Sequence, residues 1–341
     1  MSTEEDHVCT LEQQIKFPQN NLRHLFILGA GASKAACLDN PEKNGKSIPL
    51  MNDLPDHIDL VPYLTDIPDD RKRQNFEKLF SELFNKEGSS ERIIQIEREI
   101  RSYFSSLSLP DTPTIYDYLV LSLRGKDMIA TFNWDPFLVQ AYMRNHRFCK
   151  NLPQLIFLHG NVAVGYDEAT GRFGQIIKRD ESLKDFQPTK LLYPVENKDY
   201  NSDPFIKSQW DILLDYLDKS TLVSVYGYSA PDTDVEAKNL MKKVWDKPKT
   251  GRYMEEVEII DIAPEEVVDE TWRNFMSSHH FHHIESIQQS WILSFPRRTG
   301  EMFYMRYLEG KFQEENHPPR FESLDEMWEW YGKLIFYDSQ I

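Results

Sequence analysis

The feature that most constrains the fold is a short apolar run that ends in a glycine-rich turn. Residues Leu25–Leu28 are all apolar, and the next five residues, Gly29–Ser33, are all small. The apolar run is typical of a buried strand, and the glycines allow the chain to turn sharply into a helix. The segment therefore predicts a strand, a tight turn and a helix start in succession.

Later apolar runs repeat this pattern along the chain. They are Met128–Phe132, Leu155–Leu158, Leu222–Tyr226 and Val257–Ile262. Helices are predicted between them: one opens at Asp135 and Pro136, with aspartate as N-cap and proline at the first helical position, and another spans residues 205–218. Short buried strands that alternate with helices predict an α/β fold, a mostly parallel sheet with helices on both faces.

Three segments depart from this alternation. Residues 69–108 are charged, lack proline and space their apolar residues helically, which predicts a helical insertion within a domain spanning residues 1–265. Residues 161–205 contain several glycines and predict loops. Residues 266–341 predict a C-terminal helical extension that closes the domain or forms an interface. Its candidate interface aromatics are Trp291, Tyr304, Tyr307, Trp328, Trp330 and Tyr331, although core packing explains them equally well.

The composition of the chain argues against several classes of binding partner and site. The net charge of −16 disfavours nucleic acid, because an acidic chain repels phosphate backbones. The three cysteines are far apart and form no C-x-x-C pair, which argues against a disulfide framework or a structural zinc site and favours a reducing cytoplasm. No run approaches the ~20 apolar residues that span a bilayer, and the N-terminal residues lack signal-peptide character. We therefore expect no membrane partner.

Polar residues follow the predicted strands at their carboxyl ends. Asn133 follows the second strand, His159 the third, and Gly227 and Ser229 the fourth. Ligands of open α/β sheets bind outside these ends, so the residues predict one shared site. The first glycine turn and the helix after it suit a pyrophosphate, because helix N-termini bind anions. The segment does not match the G-x-G-x-x-G dinucleotide fingerprint, since Lys34 occupies the position of its third glycine. Packing between strand and helix would also explain the glycines without a ligand.

Together these residues carry a family resemblance. Gly29-Ala30-Gly31-Ala32-Ser33 resembles the first sirtuin motif, Thr131-Phe132-Asn133-Trp134-Asp135 the T-x-N-x-D motif, His159-Gly160 the catalytic His-Gly, and Gly227-Tyr228-Ser229 the later glycine-serine motif. Order and spacing agree over residues 22–264. The resemblance implies a Rossmann-like fold that binds NAD. The implied NAD contacts are Gly29, Ala30, Gly31, Ala32, Ser33, Asp53, Asp135, Gly227, Ser229 and Asp261.

The chain departs from deacylase sirtuins in two places. The four-cysteine zinc ribbon is absent, and residues 47–53 replace the G-I-P-D-F-R segment. Both departures, and the G-Y-S-x-P-x-x-D form of the late motif, are similar to the sirtuin-like (SIR2-like) domains of bacterial antiphage defence systems, which hydrolyse and deplete NAD. The missing ribbon argues against protein deacylation, because that element helps to build the acyl-peptide cleft.

The implied chemistry gives the polar residues distinct roles. Cleavage of the nicotinamide–ribose bond passes through an oxocarbenium-like transition state and releases neutral nicotinamide, so no strong general acid is needed. Asn133 can hold a ribose hydroxyl or a water, and His159 has the pKa range of a general base. Asp135 either orients the ribose or caps its helix, and the cap is favoured. Asp261 can accept an adenosine-ribose hydroxyl. Ser33 and Ser229 could contact phosphate or ribose, and the resemblance places Asp53 near nicotinamide.

The expected activity is therefore NAD hydrolysis without a metal. Because an ungated NAD hydrolase would be toxic, we expect control by a homo-oligomer or by a separately encoded partner such as an ATPase or an Argonaute-like protein. Two alternatives stay open: a module that senses NAD or ADP-ribose without turnover, and a zinc-free deacylase. The cluster of His279, His280, His282 and His283 predicts a solvated face rather than a metal site.

Overall fold

The computed structural model describes residues 8–16, 18–38, 48–50, 54–68, 76–177, 185–193, 200–231, 234–245, 256–275 and 281–338. Three residues singled out in the sequence, Asp53, His279 and His280, lie outside the described residues.

The described strands form one large sheet and two small ones. They are β1 (Val8–Cys9), β2 (His24–Leu28), β3 (Met128–Thr131), β4 (Gln154–Phe157), β5 (Val164–Asp167), β6 (Arg172–Gln175), β7 (Gln187–Pro188), β8 (Leu222–Tyr226), β9 (Glu256–Ile260), β10 (Phe281–Ile284) and β11 (Phe312–Gln313). The large sheet has six strands in the order β10-β9-β8-β2-β3-β4, all parallel. This confirms the predicted α/β fold with a mostly parallel sheet.

The strand order reverses beside β2. The chain proceeds from β2 to β3 and β4 on one side, then returns to place β8, β9 and β10 on the other. Leu28 pairs with Thr131 of β3 and with Tyr226 of β8, which in turn pairs with Ile260 of β9. Because the strands are parallel and in register, the residues that follow them emerge side by side. This switch point is where doubly wound α/β sheets bind dinucleotides.

Helices cover both faces of the sheet, as predicted. Their bounds are Leu11–Ile15, Ala30–Leu38, Leu54–His57, Phe76–Glu87, Glu91–Ser105, Ile115–Ser122, Phe137–His146, Pro204–Lys219, Val235–Trp245, Glu265–Phe275, Trp291–Ser294, Thr299–Leu308 and Leu324–Asp338. Successive side chains of a strand point to opposite faces, so Leu25 and Ile27 enter one core while Phe26 and Leu28 enter the other. None of the helices in the described part of the chain is long and apolar enough to cross a membrane.

The segment predicted as a helical insertion contains two of these helices. Ser90 caps the second, its Oγ accepting a hydrogen bond from the Ile93 amide at 3.3 Å. Apolar residues at helical spacing, such as Phe80, Ile96 and Ile100, are fully buried in the same core as Phe26. The two helices therefore contribute to one of the two main cores of the domain, and the status of residues 69–108 as an insertion stays a prediction.

The prediction of loops over residues 161–205 is wrong in part. Strands β5, β6 and β7 form a small antiparallel sheet there. Asp167 builds the turn between β5 and β6: its carboxylate accepts from the Ala169 amide, and its carbonyl accepts from the amide of Gly171, which has a φ of +68°. These strands were not predicted from the sequence because they are short and half exposed and so lack an apolar run.

The prediction of a wholly helical C-terminal extension also needs correction. Strand β10 extends the large sheet beside β9, and β11 pairs with β1. Sequence patterns did not predict β10 because it is an edge strand with His282 exposed, so it lacks the mostly apolar composition of a central strand.

Among the candidate interface aromatics, Trp291 and Tyr331 are buried, and the Tyr331 hydroxyl lies 2.7 Å from that of Ser122. The domain boundary at 265/266 and the interface itself stay predictions.

Candidate functional site

A cavity of about 610 Å³ lies at the carboxyl ends of the sheet strands, where the strand order reverses. It is lined by nearly all the described residues predicted to form the site: Gly29, Ala30, Gly31, Ser33, Asn133, Asp135, His159, Gly227, Ser229 and Asp261. The exception is Ala32, which is fully buried and packs in the core. The volume falls within the roughly 300–1,000 Å³ typical of small-molecule sites.

The two glycine turns that open the cavity interlock through their backbones. The Gly29 amide donates to the Tyr226 carbonyl, and the Gly31 amide donates to the Gly227 carbonyl, both at 3.0 Å. A Cβ at Gly29 would lie 2.4 Å from the Gly227 carbonyl oxygen, and one at Gly227, whose φ is +64°, would lie 2.3 Å from the Ala32 nitrogen. Packing between the turns therefore requires both glycines, whatever else they do for a ligand.

The start of the Ala30–Leu38 helix is the candidate phosphate site. Two of its first N–H groups are used internally, by the Gly31 bond above and by a 3.1 Å bond from Ala32 to the Gly29 carbonyl. Ala30 is exposed at the first position of the helix, and Lys34 lines the cavity one turn later. An anion would meet the Ala30 amide, the positive end of the helix dipole and the Lys34 ammonium. Sequence patterns gave Lys34 no role.

Asn133 presents a single kind of polar group to the cavity. Its Nδ2 lies 2.8 Å from the Gly29 carbonyl oxygen, and a carbonyl can only accept, so this contact fixes which side-chain atom is the nitrogen. The same Nδ2 donates to Ser33 Oγ at 2.8 Å. Both amide protons are thereby engaged, and the carbonyl oxygen Oδ1 is the group left to a ligand. Asn133 can therefore accept a hydrogen bond from a hydroxyl or a water.

Ser33 is committed to the protein rather than to a ligand. It donates its one proton to Asp135 Oδ2 at 2.6 Å, while its oxygen accepts from Asn133 and lies 2.5 Å from the Tyr116 hydroxyl, which must then be a donor. A hydroxyl has one proton and two lone pairs, so Ser33 is saturated. It is also fully buried. Its placement argues against the predicted phosphate or ribose contact and assigns it to the support of Asn133.

Asp135 carries a perturbed carboxyl group just before a helix. Its Oδ1 accepts from the amide of Phe137, the first helical residue, at 3.1 Å, but Pro136 rather than Asp135 occupies the N-cap position, so the predicted cap is wrong by one residue. Burial raises the pKa of the Asp135 carboxyl to about 6, against the hydrogen bonds from Ser33 and Phe137 that lower it. At neutral pH the carboxyl is mostly ionised and places negative charge beside Asn133.

His159 follows β4 and is almost completely buried at the cavity wall. Its Nε2 lies 2.9 Å from the Tyr200 hydroxyl, and the edge of its ring meets the Phe132 ring, with centroids 4.9 Å apart. The next residue, Gly160, has a φ of +76°, and a Cβ there would lie 1.9 Å from the Lys190 carbonyl oxygen. The His-Gly pair therefore depends on a tight turn that holds the imidazole at the sheet edge.

The last two predicted contacts lie toward the far side of the cavity. Asp261 follows β9 and is half-buried, and its Oδ1 accepts from the Ala263 amide at 2.9 Å. Its Oδ2 accepts no hydrogen bond from the described residues and suits a ribose hydroxyl. Ser229 is exposed, two residues after the Gly227 turn.

Several residues that shape the site were missed in the sequence. Tyr116 bonds Ser33, which in turn accepts from Asn133, and the Tyr200 hydroxyl lies 2.9 Å from His159 Nε2. Tyr228 stacks on Phe132 at 4.3 Å and donates to Asp234 at 3.1 Å. Tyr228 and Asp234 belong to the late motif, so their position could have suggested a role. Nothing in the local pattern marks Tyr116 or Tyr200.

The histidine cluster does not converge on one point in the described residues. His283 Nε2 lies 2.8 Å from the Asp261 carbonyl oxygen, while His282, on the opposite face of β10, is exposed and lies 3.9 Å from Glu256. Within the described ranges, no three histidine, cysteine or acidic side chains are placed to share a metal ion.

No protein-family model matches the chain, and no curated protein matches it. Among solved structures, the chain is similar to a Sir2 homolog in complex with NAD (14% identity, TM-score 0.41), with 98% of this chain and 96% of that one covered. It is also similar to a Sir2–p53 peptide–NAD⁺ complex (13%, TM-score 0.38; 91% and 99%) and to an ADP-ribose complex of a mutant Sir2 homologue (11%, TM-score 0.34; 81% and 98%). With TM-scores below 0.5, these likenesses assign neither ligand nor activity to this chain.

Proposed function

We propose that the chain binds NAD in the switch-point cavity and hydrolyses its nicotinamide–ribose bond to nicotinamide and ADP-ribose. The observation that carries the proposal is that His159 and Asn133 both line the cavity, at the carboxyl ends of the adjacent strands β4 and β3, while the amide nitrogen of Asn133 is bonded to the protein. A base and an oriented acceptor are what water attack on a ribose requires. A pure sensor needs neither.

The cavity suits a dinucleotide laid across the sheet. The pyrophosphate would meet the Ala30 amide and Lys34 at the start of the Ala30–Leu38 helix. One ribose would reach Asp261 beside β9, and the other would reach Asn133 beside β3. Asp53 remains a proposed contact of the nicotinamide end, on the resemblance alone.

The charged and polar groups of the cavity suit each step of the proposed hydrolysis. The bond between the ribose anomeric carbon and the nicotinamide nitrogen breaks, its electron pair leaves with nicotinamide, and the ribose carries positive charge as an oxocarbenium ion. Ionised Asp135 stabilises that charge through space. A water then bonds to the anomeric carbon and gives its proton to His159, while Asn133 Oδ1 accepts a hydrogen bond from the ribose or the water.

The biological role follows only from the resemblance. We propose an NAD-depleting effector in antiphage defence, gated by self-association or by a separately encoded partner such as an ATPase or an Argonaute-like protein. An NAD or ADP-ribose sensor and a zinc-free deacylase are the competing functions.

Product analysis separates the three. Purified chain, over a range of protein concentrations, is incubated with NAD alone and with NAD plus an acetylated peptide, and nicotinamide, ADP-ribose and deacetylated peptide are quantified. Equal amounts of nicotinamide and ADP-ribose without peptide support hydrolysis. Nicotinamide release that requires the peptide supports a deacylase, and calorimetric NAD binding without any product supports a sensor. A chain that does not bind NAD contradicts the proposal altogether.

A further inference from the structure

We propose that a second, smaller cavity binds a small molecule that carries a phosphate monoester, and that this ligand steadies the backbone turn that holds His159. The second cavity has a volume of about 230 Å³ and shares no lining residue with the switch-point cavity. It is smaller than the roughly 300–1,000 Å³ of sites for drug-sized ligands, so it suits a compact ligand. Binding there is independent of the proposed function, and only its effect on turnover rests on that function.

The second cavity lies between a helix and an extended segment. The Glu91–Ser105 helix forms one wall, and residues 189–193 form the other. Side chains three and four positions apart share one face of a helix, and the helix residues that line the cavity follow this spacing. The lining residues are Ile94, Glu97, Arg98 and Arg101 from the helix, and Lys190, Leu191 and Tyr193 from the segment.

Three basic residues converge on this small volume, although the chain as a whole has a net charge of −16. Arg98 and Lys190 are exposed, on opposite walls, and their side chains form no hydrogen bond or ion pair in the described part of the chain. Arg101 crosses between the walls, because its Nη2 donates to the Thr189 carbonyl at 2.6 Å. A guanidinium has five N–H groups, so Arg101 keeps donors for a ligand.

This set of charges matches a phosphate monoester that also carries a hydroxyl group. Guanidinium groups donate paired hydrogen bonds to phosphate oxygens, and a lysine ammonium adds a point charge. The three cations outnumber Glu97, which is the single acidic residue among the described residues that line the cavity. Its carboxylate suits a hydroxyl of the same ligand, because an ionised carboxylate only accepts hydrogen bonds.

The segment that forms one wall is also attached to the turn that carries His159. The Leu192 amide donates to the His159 carbonyl at 2.9 Å, and the Leu192 side chain lines the switch-point cavity. The turn packs closely on the segment, since a Cβ at Gly160 would lie 1.9 Å from the Lys190 carbonyl oxygen. A ligand that bridges Lys190 and the helix arginines therefore holds this segment, and the His159 turn with it. NAD then has less to order when it binds, so the two ligands favour each other.

Calorimetry on the purified chain tests the binding site, with glycerol 3-phosphate as the probe and glycerol as its neutral counterpart. Wild type should bind the phosphate and not glycerol. Arg98→Gln and Lys190→Gln should each weaken binding by about tenfold or more, because each removes a hydrogen bond to a charged group. Arg98→Lys keeps the charge and should retain more of the affinity than Arg98→Gln.

Lys34→Gln is the matched control, because it removes a cation from the switch-point cavity instead. It should leave the affinity for glycerol 3-phosphate unchanged. The proposal is overturned if wild type does not bind the probe at millimolar concentrations, or if Lys34→Gln abolishes binding while Arg98→Gln keeps it.

Hydrogen exchange of the Leu192 amide tests the connection to His159 without any turnover. Saturating glycerol 3-phosphate should slow this exchange in wild type and not in Arg98→Gln, and equal exchange with and without the probe would refute the connection. In nicotinamide release, the probe should lower KM for NAD by about fivefold in wild type only. If the probe binds and slows exchange but wild type releases no nicotinamide, the second site stands and the proposed hydrolase fails.

Discussion

Ser33→Ala distinguishes a serine that supports Asn133 from one that binds phosphate. The substitution removes the donor to Asp135 Oδ2 and the acceptor of the Tyr116 hydroxyl, both of which are buried. Asn133 Nδ2 keeps its bond to the Gly29 carbonyl. Each buried polar group that loses its partner costs about 1–3 kcal/mol, so two groups predict a loss of about 2–6 kcal/mol in the free energy of unfolding.

Urea denaturation measures this loss as a lower midpoint at an unchanged m-value. Ser229→Ala is the control: it also removes a hydroxyl from the cavity wall, but an exposed one, so the stability should change by no more than about 0.5 kcal/mol. Ser33→Ala combined with Tyr116→Phe should cost less than the sum of the single variants, because the second change removes a group that the first leaves unpaired.

The reasoning would be refuted by a Ser33→Ala variant with wild-type stability and greatly weakened NAD binding. That result would identify Ser33 as a ligand contact and would require the hydrogen bonds to Asp135 and Tyr116 to be dispensable.

Two further predictions concern the carboxyl group and the glycine turns. Because burial raises the pKa of Asp135 from 3.8 to about 6, the folded state binds its proton more tightly than the unfolded state, so this group's contribution is fully present below pH 4 and is lost as the pH rises through 6. Denaturation of wild type and Asp135→Asn between pH 4 and 7 should show a difference of about 3 kcal/mol developing across that window; parallel curves would contradict it. Gly227→Ala should destabilise the chain by more than ~3 kcal/mol, because a Cβ at φ +64° would lie 2.3 Å from the Ala32 nitrogen. Gly171→Ala, at φ +68° but in open space, should cost only about 1 kcal/mol, and equal losses for the two variants would show that the interlocked turns are not what requires glycine.

The central strands could be predicted from the sequence because burial on both faces makes them mostly apolar. Leu222–Tyr226 agrees with its predicted bounds residue for residue. The same rule fails for β10, since an edge strand half in solvent can hold His282 and His283. The hairpin of β5 and β6 was not predicted for a similar reason, since its strands are partly exposed and form no apolar run. Its turn residues, Asp167 and Gly171, could have indicated a turn at this position.

The residues of the candidate site were likewise predictable only in part. Asn133 and His159 could be predicted because parallel strands bring their carboxyl ends together, whatever the rest of the chain does. Their supports could not, because Tyr116 lies 17 positions before Asn133 and Tyr200 lies 41 positions after His159, on elements whose packing no local pattern encodes. For Ser33 the motif predicts a ligand contact, which stays a prediction, while the structure shows its hydroxyl bonded to Asp135, Asn133 and Tyr116, a set of contacts that the motif could not indicate.

The most direct test of the central claim is the initial rate of nicotinamide release from NAD by wild type, His159→Ala and Asn133→Ala, each confirmed as folded by its unfolding midpoint. The account predicts a wild-type rate that His159→Ala lowers by about 100-fold or more, through loss of the general base, and that Asn133→Ala also lowers strongly. Release at the wild-type rate by either variant would place the chemistry outside this cavity and contradict the account.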